Sequence, residues 1–211
     1  MAEVTIFTSR NCGWAVRNYA ALIEKGVAFD PVPAKDGDGV KLDTFLSLTP
    51  YGRTPVLYCE GTAVFESSLI NEYIDDRFPN PPLLPSDAAA RSEVRKWTHY
   101  CENSLLAALT RIAKAQEGDA RTAAIAEFKE QMCDFARFAL PADWRGPYFF
   151  GKRFTLLDLV FSTLFETIRQ IERHSTTSLP MQNEAMRRWA ENVLSRPSLR
   201  SAMALRDELE F

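Results

Sequence analysis

The chain has 211 residues, a formal charge of −3 and a pI near 5.5. That length allows one large domain or two small ones with a real core, and 46% hydrophobic with 25% charged residues is a globular rather than a disordered composition. The mild acidity argues against a nucleic-acid surface, which needs a basic stripe.

Met1 to Val4 lead straight into a strand-like run without the basic and apolar regions of a signal peptide. The most apolar stretch, Phe154 to Phe165, is broken by Asp158, so no membrane span is expected. The cysteines, at 12, 59, 101 and 133, have no C-x-x-C spacing. With His99 and His174 as the only histidines, neither a disulfide framework nor a metal site is expected. A cytoplasmic chain with reduced thiols fits that cysteine usage.

In chain order, Val4 to Phe7 predicts a strand and Thr8 to Asn11 a loop. Val16, Tyr19, Ala20 and Ile23 follow helical spacing, stopped by Gly26. Val27 to Phe29 predicts a second strand ending at Asp30-Pro31, and Asp36 to Gly39 a flexible loop. A short helix over Leu42 to Leu48 closes at Thr49-Pro50. Val56 to Tyr58 and Ala63 to Phe65 predict a hairpin around Glu60-Gly61, and Leu69, Ile70, Tyr73 and Ile74 a further helix. The proline-rich stretch from Asp75 to Ala90 reads as a linker. Beyond it, helices are expected over about Arg91 to Gln116, Ala120 to Leu140, Thr155 to Glu172 and Asn183 to Leu194, then a shorter one.

Three segments carry chemistry. Cys12 lies at the mouth of the first helix, where the dipole and unpaired N–H groups favour a thiolate; it reads equally as a small residue filling a turn. Cys59, Cys101 and Cys133 sit in apolar patterns and read as structural. Pro55 follows a Gly-Pro-rich turn and precedes a strand, a candidate cis position that would hold Thr54 extended, its backbone open to a peptide-like ligand. Glu66 and Ser67 precede a helix: Ser67 can cap it and offer an anion site, while Glu66 can meet an ammonium group. Plain capping explains the same residues.

In this order, Cys12-x4-Arg17-x8-Gly26, Thr54-Pro55 and Glu66-Ser67 resemble the glutathione site of the glutathione transferase superfamily. The resemblance covers essentially the whole chain. "FFGKRFTLLDLVFSTLF" is similar to that superfamily's hallmark segment, with Thr155 and Asp158 as a capping box, and "MRRWAENVLSRPSLRSAM" to its last helices, with Trp189 in the core. The resemblance implies an α/β plus all-α architecture: a thioredoxin-like domain over 1–78, a linker over 79–87 and an α-helical domain over 88–211, in a homodimer.

A cysteine at position 12 resembles the omega-like class, with Gly13-Trp14 where that class carries Pro-Phe or Pro-Tyr. It implies Cys12 as catalytic thiol, Thr54 and Pro55 at the cysteinyl backbone of glutathione, Glu66 and Ser67 at its γ-glutamyl head, and Lys41 at its glycine end. A hydrophobic or electrophilic second substrate would meet Trp14, which reads equally as packing inward, and Trp97, Tyr100 and Ser104, of which Trp97 and Tyr100 read equally as core. The implied activity is thiol transfer or conjugation with glutathione as co-substrate. "FESSLINEYIDDRFPNPPLLPSD" also resembles the stringent starvation protein A family, which implies a non-catalytic factor that binds RNA polymerase through Phe78 to Pro85.

Overall fold

The computed structural model describes residues 3–141, 143–179, 181 and 183–209. Met1 and Ala2, where the signal-peptide expectation begins, lie outside them. The chain forms two compact units, one of residues 1–84 with 196–211, the other of residues 85–195.

The first unit is built on a sheet of β1 (Val4–Thr8), β2 (Phe29–Pro33), β3 (Val56–Cys59) and β4 (Thr62–Phe65), in the order β2-β1-β3-β4. β1 and β2 are parallel with Val4 opposite Phe29; β3 is antiparallel to β1, Val4 facing Cys59, and β4 to β3. This is a thioredoxin-like sheet. β2 runs through Pro31 and Pro33, beyond its expected end, because it is an edge strand and can spare their missing N–H groups. Glu60 and Gly61 both have positive φ, 46° and 84°, as a tight hairpin turn between right-twisted strands requires.

Helix α1 (Gly13–Lys25) buries Ala15, Val16, Tyr19, Ala20 and Leu22 and ends on left-handed Gly26. α2 (Asp43–Leu46) sends Phe45 into a cluster with Ala34 and Val56. α3 (Ser67–Arg77) packs against α1 and the β3–β4 hairpin.

Two features bear on the limits of these units. The last helix, α9 (Pro197–Glu208), groups with the first unit, not the helical one. It packs on α1, where Arg196 donates Nε and Nη2 to the Glu24 carboxylate at 2.6 and 2.7 Å and Ser198 adds a third bond. Partial burial alone would raise Glu24, but these donors hold it below the usual carboxylate range. The proline-rich segment after α3 is half core. The buried Asp75 carboxylate accepts from the N–H of Leu83 at 2.7 Å and of Leu84 at 2.9 Å, and pairs with Lys25. Leu83 and Leu84 are buried in consequence, while Pro79 to Pro82 stay exposed.

The second unit is helical: α4 (Ala88–Tyr100), a π-helical turn (Cys101–Leu105), α5 (Leu106–Lys114), α6 (Asp119–Ala139), α7 (Leu156–His174) and α8 (Glu184–Ser195). The single helix expected over Arg91 to Gln116 is thus interrupted; at the turn Leu106 N–H reaches the Cys101 carbonyl, and Cys101 and Leu105 are both fully buried. α7 is buried from Leu156 to Phe165. Around it Phe135, Phe161 and Trp189 pack with ring centroids 4.6 to 6.0 Å apart. The expected capping box of Thr155 and Asp158 is present. Among the described residues no helix is long and apolar enough to cross a membrane.

Candidate functional site

Cys12 is the N-cap of α1, extended at φ −69° and ψ 96°, with its N–H donating to the Ser9 carbonyl at 3.1 Å. Its side chain is nearly closed off from solvent, 9% exposed. The Thr54 hydroxyl donates to Cys12 Sγ at 3.6 Å, and Ser9 Oγ lies 3.0 Å from Thr54 Oγ1. The Thr54–Pro55 peptide bond is cis. Thr54 thus delivers a hydroxyl to the sulfur from the turn before β3, and among the described residues its own backbone N–H and C=O have no protein partner. Tyr19, on the same helix, is pushed up to about 12 by burial and stays a neutral phenol.

A second group lies at the start of α3. Glu66 is exposed and occupies the left-handed region, φ 68°, a conformation that a side chain rarely adopts and that marks a constrained position. Ser67 is not the helix cap. Glu66 holds the N-cap position and Ser67 is the first helical residue, buried, its hydroxyl accepting from Arg17 Nη2. Asn18 Nδ2 donates to the Ser67 carbonyl at 2.8 Å and to Asn71 Oδ1 at 2.7 Å, locking α3 to α1. Trp14, half exposed, lies over the Arg17 guanidinium with 4.9 Å between Cζ and ring centroid.

Lys41 lines a cavity of about 360 Å³ with Ser9, Thr54, Lys35 and Arg53. A side chain at Gly52, φ 55°, would come within 2.9 Å of Lys41 Nζ, so glycine there leaves room for the ammonium group. An adjoining cavity of about 710 Å³ shares Ser9 and Lys35 and adds Arg10. The basic residues at 10, 35 and 53 were not singled out from sequence. Arg53 stands beside Thr54 and was legible on that ground; Lys35 and Lys41 meet only through the bridge that pairs them across the Asp36 to Val40 loop.

Trp97 and Tyr100 lie in the second unit, where their contacts are those of core residues. Trp97 is 8% exposed, its ring 5.1 Å from Phe135 and its Nε1 donating to Glu93 at 2.9 Å. Tyr100 is partly buried and donates its hydroxyl to the Gln131 carbonyl at 3.1 Å. Cys59 and Cys101 are fully buried, as expected of structural thiols, but Cys133 is exposed on α6. Glu3, Cys59 and Glu60 bring potential metal ligands within 4.8 Å of one another, but Arg77 pairs with both carboxylates, at 2.7 and 3.0 Å.

Residues 11–77 match the family model of the glutathione S-transferase N-terminal domain. Over 168 residues the chain is 29% identical to the stringent starvation protein A homolog of Pasteurella multocida, covering 80% of this chain and 76% of that one. The chain is thus similar to glutathione S-transferases in its N-terminal domain and to stringent starvation protein A homologs over most of its length. It is also 24% identical over 210 residues to glutathione S-transferase U13 of Arabidopsis thaliana, 98% of this chain and 92% of the relative. The fold matches glutathione transferase Omega 3C from Trametes versicolor with a TM-score of 0.83 at 23% identity, covering 100% of this chain and 91% of that one. It matches rice GST1 in complex with glutathione with a TM-score of 0.82 at 24% identity, covering 100% and 99%.

Proposed function

We propose that the chain binds glutathione in the first unit and uses Cys12 for glutathione-dependent thiol transfer. The observation that carries this is the placement of the Cys12 sulfur at a helix N-terminus with the Thr54 hydroxyl donating to it, a sulfur nucleophile of the kind that disulfide exchange needs. The open Thr54 backbone suits a peptide-like cysteinyl segment, with Pro55 setting the turn. Glu66 and the amino end of α3 match the ammonium and carboxylate of a γ-glutamyl head, with Ser67 fixed by Arg17 to hold that helix end in place. Lys41, with Lys35 and Arg53, matches the glycine carboxylate.

The Cys12 thiolate attacks the glutathione sulfur of a glutathionylated substrate. The Cys12–glutathione disulfide forms, and the substrate thiol leaves and takes a proton. A second glutathione thiolate then attacks that disulfide, freeing Cys12 and releasing oxidised glutathione. Conjugation of glutathione to an electrophile uses the same binding site, with the Thr54 hydroxyl and the helix end stabilising the glutathione thiolate.

Calorimetric titration with glutathione tests the binding step. Glu66→Ala is expected to weaken affinity roughly 10- to 100-fold, the value of a charge-assisted hydrogen bond, with a melting temperature close to the parent's, since Glu66 is exposed and makes no side-chain cap. Unchanged affinity in the folded variant would remove Glu66 from the site.

A second reading is favoured by the stringent starvation protein A homologs among the relatives and by the exposed prolines held on the Asp75 clamp. In that reading the segment docks on RNA polymerase. Replacing Pro81 and Pro82 together with alanine is then expected to abolish recovery of RNA polymerase in a pull-down, while Cys12→Ala leaves it intact. Recovery of no polymerase by the parent chain would end this reading.

A further inference from the structure

The second unit contains a cavity of about 380 Å³ that the chemistry at Cys12 does not use. Its body is apolar: Phe128 and Met132 come from α6, Met186 from α8, and Leu179 from the segment between α7 and α8. Three methionines line it, the third being Met181; unbranched and polarisable, they adapt to ligands of varied shape. The size is that of small-molecule pockets.

Among the described residues, the charged groups lining the cavity are Lys129 and Arg137. Arg137 already pairs with Asp134 at 2.7 Å and lies over Phe138. Lys129 is half-buried, and among the described residues no carboxylate pairs with it. A partly desolvated ammonium group beside apolar walls is best satisfied by an anion. Asn183 adds a polar group; its Oδ1 accepts from Met186 N–H at 3.2 Å, which leaves its Nδ2 as a donor.

We propose that this cavity binds a small apolar monocarboxylate, its carboxylate on Lys129 and its hydrocarbon body among the methionines and Phe128. The site is independent of glutathione and of any reaction at Cys12.

Cys133 lines the cavity and is the one exposed thiol among the described cysteines, so its alkylation reports occupancy. The experiment measures N-ethylmaleimide labelling of Cys133 in a Cys12→Ser background, by mass spectrometry, with decanoate as probe and decanol as its uncharged counterpart. Decanoate is expected to slow labelling saturably. Decanol and the Lys129→Met variant should each need about fivefold higher ligand concentration, the upper value for a partly exposed ion pair. Ala136→Trp, which fills the cavity from α6, should remove protection; Met181→Trp serves the same purpose if the first variant does not fold. Labelling unaffected by decanoate up to its solubility limit overturns the proposal, as does equal protection by decanol or protection that survives cavity filling in a folded variant.

Discussion

Cys12→Ser is expected to lose reduction of a small glutathione mixed disulfide by at least about 10³-fold, because only sulfur can form the intermediate disulfide. Glutathione affinity should change by less than about threefold, since serine keeps the N-cap position, and a hydroxyl there can still meet Thr54. Conjugation of an electrophile should survive in part, as the serine hydroxyl can donate to the glutathione sulfur. The two assays on one variant therefore separate covalent chemistry at position 12 from stabilisation of a bound thiolate. Parent-like reduction by the serine variant would move the catalytic role to another group, with Ser9, 3.0 Å from the Thr54 hydroxyl, as the nearest alternative.

The second large effect is on stability. The fully buried Asp158 carboxylate accepts from Phe149 N–H at 2.9 Å, Thr155 N–H at 2.8 Å, Thr155 Oγ1 at 3.0 Å and Trp189 Nε1 at 2.6 Å. Asp158→Ala leaves these donors without their acceptor, and at about 1–3 kcal/mol for each buried unsatisfied group the loss should be about 4 kcal/mol, well above an ordinary helix cap. Burial pushes Asp158 up to about 6, against the pull of the same hydrogen bonds. The folded protein then holds this proton more tightly than the unfolded chain, where the carboxyl titrates near 3.9. Between about pH 4 and 6 the folded state carries the extra proton, so this group's contribution to stability falls as pH rises through that window and is level above it. Denaturant melts at pH 4, 5, 6 and 7 should show that slope in the parent and not in Asp158→Asn. An alanine variant that melts with the parent would contradict the role given to the carboxylate.

Local chemistry was legible in the sequence where one segment determines it. Glu60-Gly61 predicts its hairpin, Gly26 its helix end and Thr155 with Asp158 their capping box, because each acts on its own neighbours. Long-range pairings were not legible. Glu24 and Arg196 are 172 residues apart, and nothing in either segment announces the other. Arg17 is almost fully buried, although a charge is expected at the surface, and there it donates to the Ser67 hydroxyl of a different helix. Cys133 fails in the opposite direction. Its apolar neighbours Met132 and Phe135 face the core, and position 133 falls one step round the helix from them. Within the site, Cys12, Thr54 and Glu66 were visible as motifs and Lys41 through the resemblance, whereas Lys35 joins Lys41 only once the loop between them is folded.

The packing of α9 on α1 makes the second unit an insertion within the first. On the ribosome the inserted helices are contiguous and can mature as soon as they emerge, while the sheet unit must hold α1 with one flank bare until Arg196 and the helix after it arrive. Glu24 passes that interval without its guanidinium partner. The unit that carries Cys12 is thus the last to be completed, and a nascent chain interrupted near Ser195 would display Cys12, Thr54 and Glu66 on a scaffold still missing one of its walls.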